Sequence, residues 1–78
     1  MDGKQVVVYT SENCDECQNV MDYLTELNIE FEEKNTTHDR NFLKELQQKN
    51  VYVTPAVFIN DRCILGLRKH KIKNALGV

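Results

Sequence analysis

The sequence predicts an α/β domain of order β-α-β-α-β-β-α, with a four-stranded mixed sheet flanked by helices. Short β-branched runs alternate with stretches of helical period. The first two strand signals are separated by a helix, as a parallel pair requires. The last two are separated only by Asn60-Asp61, as an antiparallel hairpin allows.

The elements follow in order. Gln5-Val6-Val7-Val8-Tyr9-Thr10 lacks polar alternation and suits a strand covered on both faces. From Asp15 to Leu27, Cys17, Val20, Met21, Leu24 and Leu27 recur at three- and four-residue intervals, the stripe of an amphipathic helix. Asn28 closes that helix, and Ile29-Glu30-Phe31-Glu32 alternates as a second strand. Asn35-Thr36-Thr37 offers N-cap side chains to a helix over 38–49, with Phe42, Leu43 and Leu46 as its buried stripe. Pro55–Ile59 is the third strand and Arg62–Leu65 the fourth, ended by Gly66. A short last helix carrying Leu67, Ile72, Ala75 and Leu76 closes the sheet.

Seventy-eight residues give one domain, 1–78, with one core. A chain this short buries roughly 60–65 % of the surface its unfolded form exposes. Apolar residues at 41 % and charged residues at 28 % are those of a soluble globular protein. No apolar run reaches the roughly 18 residues of a membrane span, and no secretory segment follows Met1. A cytoplasmic monomer without membrane contact is expected. The net charge of −2 gives no footprint for nucleic acid. The basic cluster Arg68-Lys69-His70-Lys71-Ile72-Lys73 reads as a solvated helix face.

Three cysteines are too few for a disulfide scaffold, so a CxxC pair in a βα unit reads as redox first and metal second. Cys14 and Cys17 lie where the first strand hands over to the first helix. Unpaired N–H groups and the dipole at a helix start stabilise a thiolate. The spacing puts Cys17 one turn behind Cys14, close enough to resolve a mixed disulfide. Cys14 is therefore expected to be exposed and nucleophilic, Cys17 buried and resolving. Ser11, Glu12 and Asn13 form the presenting loop, with Ser11 or Asn13 available as helix cap. Tyr9 either lines the groove near Cys14 or packs in the core.

Val8-Tyr9-Thr10-Ser11-Glu12-Asn13-Cys14-x-x-Cys17, Val53-Thr54-Pro55-Ala56-Val57-Phe58-Ile59 and Ile64-Leu65-Gly66 together resemble the glutaredoxin family, over essentially the whole chain. The resemblance implies a thioredoxin fold and a thiol–disulfide oxidoreductase working through a redox-active Cys14–Cys17 disulfide, with no bound cofactor. It also implies a cis Thr54–Pro55 bond. The backbone of Thr54 would then stand beside Cys14 to pair with an extended partner segment, and Pro55 would keep a competing N–H or metal away.

Two departures narrow this. The family usually carries Pro-Tyr between its cysteines, whereas this chain carries Asp15-Glu16 as candidate pKa-tuning residues. At about 7 Å and an effective dielectric of about 40, each such charge opposes the thiolate by roughly 1.2 kcal/mol. That implies a less acidic Cys14 and a more reducing couple. After Gly66, glutathione-using members present a second glycine and acids, but here Leu67-Arg68-Lys69-His70-Lys71-Ile72 follows. Gly66-Leu67-Arg68 followed by Ile72 is more similar to the NrdH-redoxins, which supply ribonucleotide reductase and are reduced by thioredoxin reductase. Lys4 stands one place from the family's usual lysine for glutathione. The resemblance thus implies recycling by thioredoxin reductase and NADPH, with glutathione as the alternative reductant, and Gly66 and Arg68 at the partner site.

Other readings stand beside these. Zinc would need Cys14 and Cys17 plus two of Cys63, His38 and His70, without a second CxxC. A structural Cys14–Cys17 disulfide would close too short a loop to constrain the unfolded chain much. Cys63 reads as a small buried strand residue. His70 reads as solvated, and Tyr52 is a candidate partner contact. A binding module without turnover would not need both cysteines at a helix start.

Overall fold

The computed structural model describes residues 5–78. Seven elements appear in the expected order: β1 (Val6–Thr10), α1 (Asp15–Glu26), β2 (Glu32–Asn35), α2 (Arg40–Gln48), β3 (Ala56–Ile59), β4 (Arg62–Leu65) and α3 (Lys69–Leu76). The sheet runs β2-β1-β3-β4. β1 is parallel to β2 and antiparallel to β3, and β4 returns antiparallel to β3. This is the thioredoxin-fold arrangement that the sequence predicts.

Strand side chains alternate between two faces. Val6, Val8, Val57, Ile59 and Ile64 meet Val20, Leu24, Ile72 and Leu76 from α1 and α3 in the larger core. Val7, Tyr9 and Ala56 face the other way, onto Leu46 of α2. β1 therefore has no solvent face, and all five of its residues are buried. Burying a side chain such as Leu24 favours folding by about 1.5–3 kcal/mol.

The second strand begins later than the Ile29–Glu32 expected, because the end of α1 consumes Ile29. Asn28 adopts the left-handed conformation at φ 59°. Its N–H bonds Thr25 O at 3.0 Å, and the Ile29 N–H bonds Leu24 O at 3.0 Å. That is a Schellman cap, with Ile29 packed on the core that holds Leu24. Asn50 ends α2 likewise: φ is 63°, Asn50 N–H bonds Gln47 O at 2.9 Å and Val51 N–H bonds Leu46 O at 3.2 Å.

α2 also starts two residues later than expected. Its cap is Asp39, whose Oδ1 accepts the Asn41 N–H at 2.9 Å. The three expected cap residues build the preceding loop instead. Asn35 Oδ1 accepts the Thr37 and His38 N–H groups, and Thr36 Oγ1 donates to Thr10 O at 2.8 Å. Thr37 Oγ1 accepts the Glu12 N–H. Of the expected stripe, Leu46 is buried and Phe42 half-buried, but Leu43 is exposed. Leu43 lies about 100° around the helix from Phe42, off the face that Phe42 and Leu46 share at i, i+4.

Cys63 is exposed, contrary to the expected buried position. Its neighbour Ile64 points into the core between the sheet and α1 and α3, so Cys63 takes the opposite face. There α2 packs toward β2 at the far edge of the sheet and leaves edge strand β4 uncovered.

Candidate active site

Hydrogen bonds fix the loop between β1 and α1 at each step. Thr10 O accepts from the Thr36 N–H and from Thr36 Oγ1, both at 2.8 Å. Thr10 Oγ1 donates to Glu33 Oε2 at 2.8 Å. Ser11 Oγ and Thr54 Oγ1 share a hydrogen bond of 2.7 Å, and the Glu12 N–H donates to Thr37 Oγ1 at 3.0 Å. Glu12 Oε1 lies 3.2 Å from His38 Nε2 on the exposed side. Asn13, at φ 57°, then turns the chain into the helix.

Cys14 is the N-cap of α1, in extended conformation at φ −115° and ψ 97°. Its Sγ accepts the Cys17 N–H at 3.0 Å, where serine or aspartate oxygen usually sits in a cap. Neither Ser11 nor Asn13 takes that role. Cys14 and Cys17 form a disulfide with Cα atoms 5.2 Å apart. Cys14 is half-buried, whereas Cys17 is 1 % exposed. An N–H aimed at Sγ and the positive end of the helix dipole both favour sulfur as an anion.

Residues distant in sequence meet this corner. The Thr54–Pro55 bond is cis, and Pro55 is buried. Pro55 O accepts the Gly66 N–H at 2.9 Å, which ties the loop after β4 to the proline segment. Gly66 has φ 80°, and a Cβ there would stand 2.8 Å from Glu16 Oε2. Glycine therefore serves both the backbone turn and the close approach of Glu16. That same Oε2 accepts the Leu67 N–H at 2.8 Å. Glu16, read from the sequence as a charge beside the thiolate, spends its carboxylate on this loop. Asp15 is exposed. Arg68 Nε donates to Leu65 O at 3.2 Å. Tyr52, Val53 and Leu65 are exposed large apolar side chains on the segments that flank Pro55 and Gly66.

Tyr9 lies in the core beneath α2, at 2 % exposure. Its ring packs edge-on against Phe58 at 5.5 Å, and its hydroxyl donates to Glu45 Oε1 at 3.0 Å. Lys34 Nζ donates to the same oxygen at 2.9 Å. The bond from Lys34 and then that from Tyr9 hold the Glu45 carboxyl below its ordinary pKa. Burial, followed by the Glu45 bond, raises the Tyr9 phenol, and the Glu45 bond raises the Lys34 ammonium. No sequence spacing announces this triad, which joins strand, strand and helix.

Partial desolvation lifts the Cys63 thiol above its ordinary pKa, with Lys49 pulling weakly the other way. His70 is exposed. Among the described residues, no three His, Cys, Asp or Glu side chains cluster as metal ligands. No helix among them is long and apolar enough to cross a membrane. Lys4 lies outside the described residues.

The Ser11–Thr54 and Glu16–Leu67 bonds escaped sequence reasoning. For the second, an acid opposite a glycine that ends a strand is a weak signal. For the first, two hydroxyl residues among many give none.

The family model described as Glutaredoxin matches residues 6–64. Among solved structures, the thioredoxin-like protein BC3987 has a TM-score of 0.85 at 26 % identity, covering 91 % of this chain and 99 % of that one. NrdH-redoxin from Escherichia coli has a TM-score of 0.82 at 20 % identity, with coverage of 90 % and 92 %. Methanoredoxin from Methanosarcina acetivorans has a TM-score of 0.80 at 22 % identity, with coverage of 95 % and 85 %. At those identities the last two likenesses establish the fold alone. No curated protein sequence matches the chain.

Proposed function

The chain belongs to the glutaredoxin family and is a thiol–disulfide oxidoreductase; from that premise we propose that, as a single domain, it reduces protein disulfides through Cys14 and Cys17 and is recycled by thioredoxin reductase. The observation that carries the assignment of roles is the half-buried Cys14 Sγ at the α1 N-cap, 3.0 Å from the Cys17 N–H, with Cys17 buried behind it. In the reduced protein, Cys14 thiolate attacks a client disulfide sulfur, forms a mixed disulfide and releases one client thiolate. Cys17 thiolate then attacks Cys14 Sγ, closes the Cys14–Cys17 bond and releases the second client thiol. Two electrons from NADPH, delivered through the reductase, restore the dithiol.

Thr54 and Pro55 form one wall for an extended client segment, and Gly66 and Arg68 the other. Ribonucleotide reductase is the client put forward, on the strength of Gly66-Leu67-Arg68 followed by Ile72. The preference for thioredoxin reductase rests on Arg68, Lys69 and Lys71, which stand where glutathione-using relatives present acids to the peptide's amino group. Like charge there opposes glutathione by about 1 kcal/mol per poorly screened pair. The test offers the oxidised protein either thioredoxin reductase with NADPH or glutathione with glutathione reductase. Fast NADPH consumption in the first and slow consumption in the second is expected. Efficient turnover by millimolar glutathione alone refutes the recycling route and leaves a glutathione-dependent glutaredoxin.

A further inference from the structure

Glu16 stands two residues after Cys14, and its carboxylate crosses from α1 to the loop after β4. The Leu67 N–H that it receives is held in a fixed direction. Gly66 N–H is bonded to Pro55 O, Arg68 N–H to Gly66 O at 3.1 Å, and Arg68 Nε to Leu65 O. Arg68, Lys69 and Lys71 follow this amide in sequence, Lys69 Nζ turns onto the Tyr23 ring at 5.1 Å, and the first turn of α3 contains no acid. A fixed N–H is a donor that a carboxylate oxygen can accept from, and the protein fills it with its own. A Cβ at position 66 would meet Glu16 Oε2 at 2.8 Å, so glycine makes this occupancy possible.

Glutathione carries two carboxylates, which in extended form reach about 7 Å (glycine end) and about 10 Å (γ-glutamyl end) from its sulfur, the span of two to three residues. With that sulfur bonded to Cys14, a carboxylate is within reach of the loop that Glu16 touches. Glu16 holds that donor, so a second carboxylate finds it occupied.

We propose that Glu16 is a specificity-determining residue: by occupying the Leu67 amide, its carboxylate disfavours small thiols that carry carboxylates and leaves protein dithiols as the preferred reductants. This deepens the proposed function and rests on Cys14 as the attacked sulfur. In the disfavoured reaction, one glutathione thiolate attacks Cys14 Sγ, and the bond to Cys17 breaks with Cys17 leaving as a thiolate that takes up a proton. A second glutathione attacks the glutathione sulfur of the mixed disulfide, releasing Cys14 thiolate and glutathione disulfide. Two thiols are oxidised and one protein disulfide gains two electrons.

The test compares Glu16→Ala with Glu16→Gln. Alanine empties the amide, whereas glutamine removes the charge but keeps an acceptor oxygen in reach of Leu67. The readout is the rate of Cys14–Cys17 reduction by glutathione divided by the rate with 2-mercaptoethanol, which has no carboxylate. Division cancels any general change in disulfide reactivity. Glu16 is exposed, and thermal unfolding verifies that both variants fold. We expect Glu16→Ala to raise the ratio about tenfold and Glu16→Gln about twofold or less, the worth of one charge-assisted hydrogen bond. A ratio for Glu16→Ala that is less than about threefold above either the unmodified protein or Glu16→Gln overturns the proposal. The comparison uses no reductase. If glutathione recycles the unmodified protein, the recycling reading fails while the ratio still decides the role of Glu16. If the ratio stays flat, that reading stands without this residue.

Discussion

The hydrogen bond between Ser11 and Thr54 joins the loop that presents Cys14 to the residue before the cis-proline, 43 positions away in sequence. Thr54→Val removes the hydroxyl and nearly preserves side-chain volume, so lost packing contributes little. The bond is neutral, 2.7 Å long and part-buried. Net contributions of such bonds lie at about 0.5–1.5 kcal/mol, and Ser11, half-buried, can turn its freed hydroxyl toward water. We therefore expect Thr54→Val to cost about 1 kcal/mol, a fall in Tm of about 4–8 °C for a domain of this size. Ser11→Ala should cost a similar amount. Because the two changes remove the same interaction, the double variant should fall short of their sum by about 0.5–1 kcal/mol. Urea unfolding of the oxidised protein, with unchanged m-values, measures all four corners of the cycle. Additive effects within about 0.3 kcal/mol would refute the bond as the link between these segments.

Two further outcomes follow from the geometry. Glu45 has a lowered pKa in the folded protein, so its contribution is present above the unfolded carboxylate value of 4.5 and is lost as pH falls through the folded value. Relative to Glu45→Gln, the unmodified protein should therefore keep its full stability advantage near pH 7 and lose it in acid, as urea midpoints across that range would record. An advantage that grows in acid would contradict the Tyr9–Glu45–Lys34 triad. Cys63 is exposed but its thiol is raised, and it lies on edge strand β4. Cys63→Ser should leave insulin-disulfide reduction within about twofold, since a protonated thiol is a poor nucleophile; a larger loss would place Cys63 in the reaction.

The parts of the fold legible in sequence were those governed by local rules. The unbroken apolar run of β1 required cover on both faces, and the structure puts α1 and α3 on one and α2 on the other. The two-residue connection at Asn60-Asp61 fixed the β3–β4 hairpin, with Ile59 opposite Arg62. CxxC at a strand-to-helix junction fixed where the two sulfurs meet. Errors arose where one side chain could serve two local structures. Ile29 fits an alternating strand but packs as the hydrophobic partner of a helix cap. Thr36 and Thr37 fit a helix start but bond the loop around Thr10 and Glu12. Cys63 has the character of a core residue and is exposed because α3 packs on the opposite face of β4, the one that carries Ile64. Long-range polar bonds, such as Glu16 to Leu67, leave almost no trace in a single sequence.

The division of labour between the two cysteines is tested most directly by trapping. Cys17→Ser removes the resolving thiol and leaves Cys14 at the α1 N-cap. Incubated with a disulfide client, this variant should accumulate a stable mixed disulfide that peptide mapping locates at Cys14, while Cys14→Ser should form none and show no turnover. A trapped client on Cys63, or efficient trapping by Cys14→Ser through Cys17, would contradict the assignment.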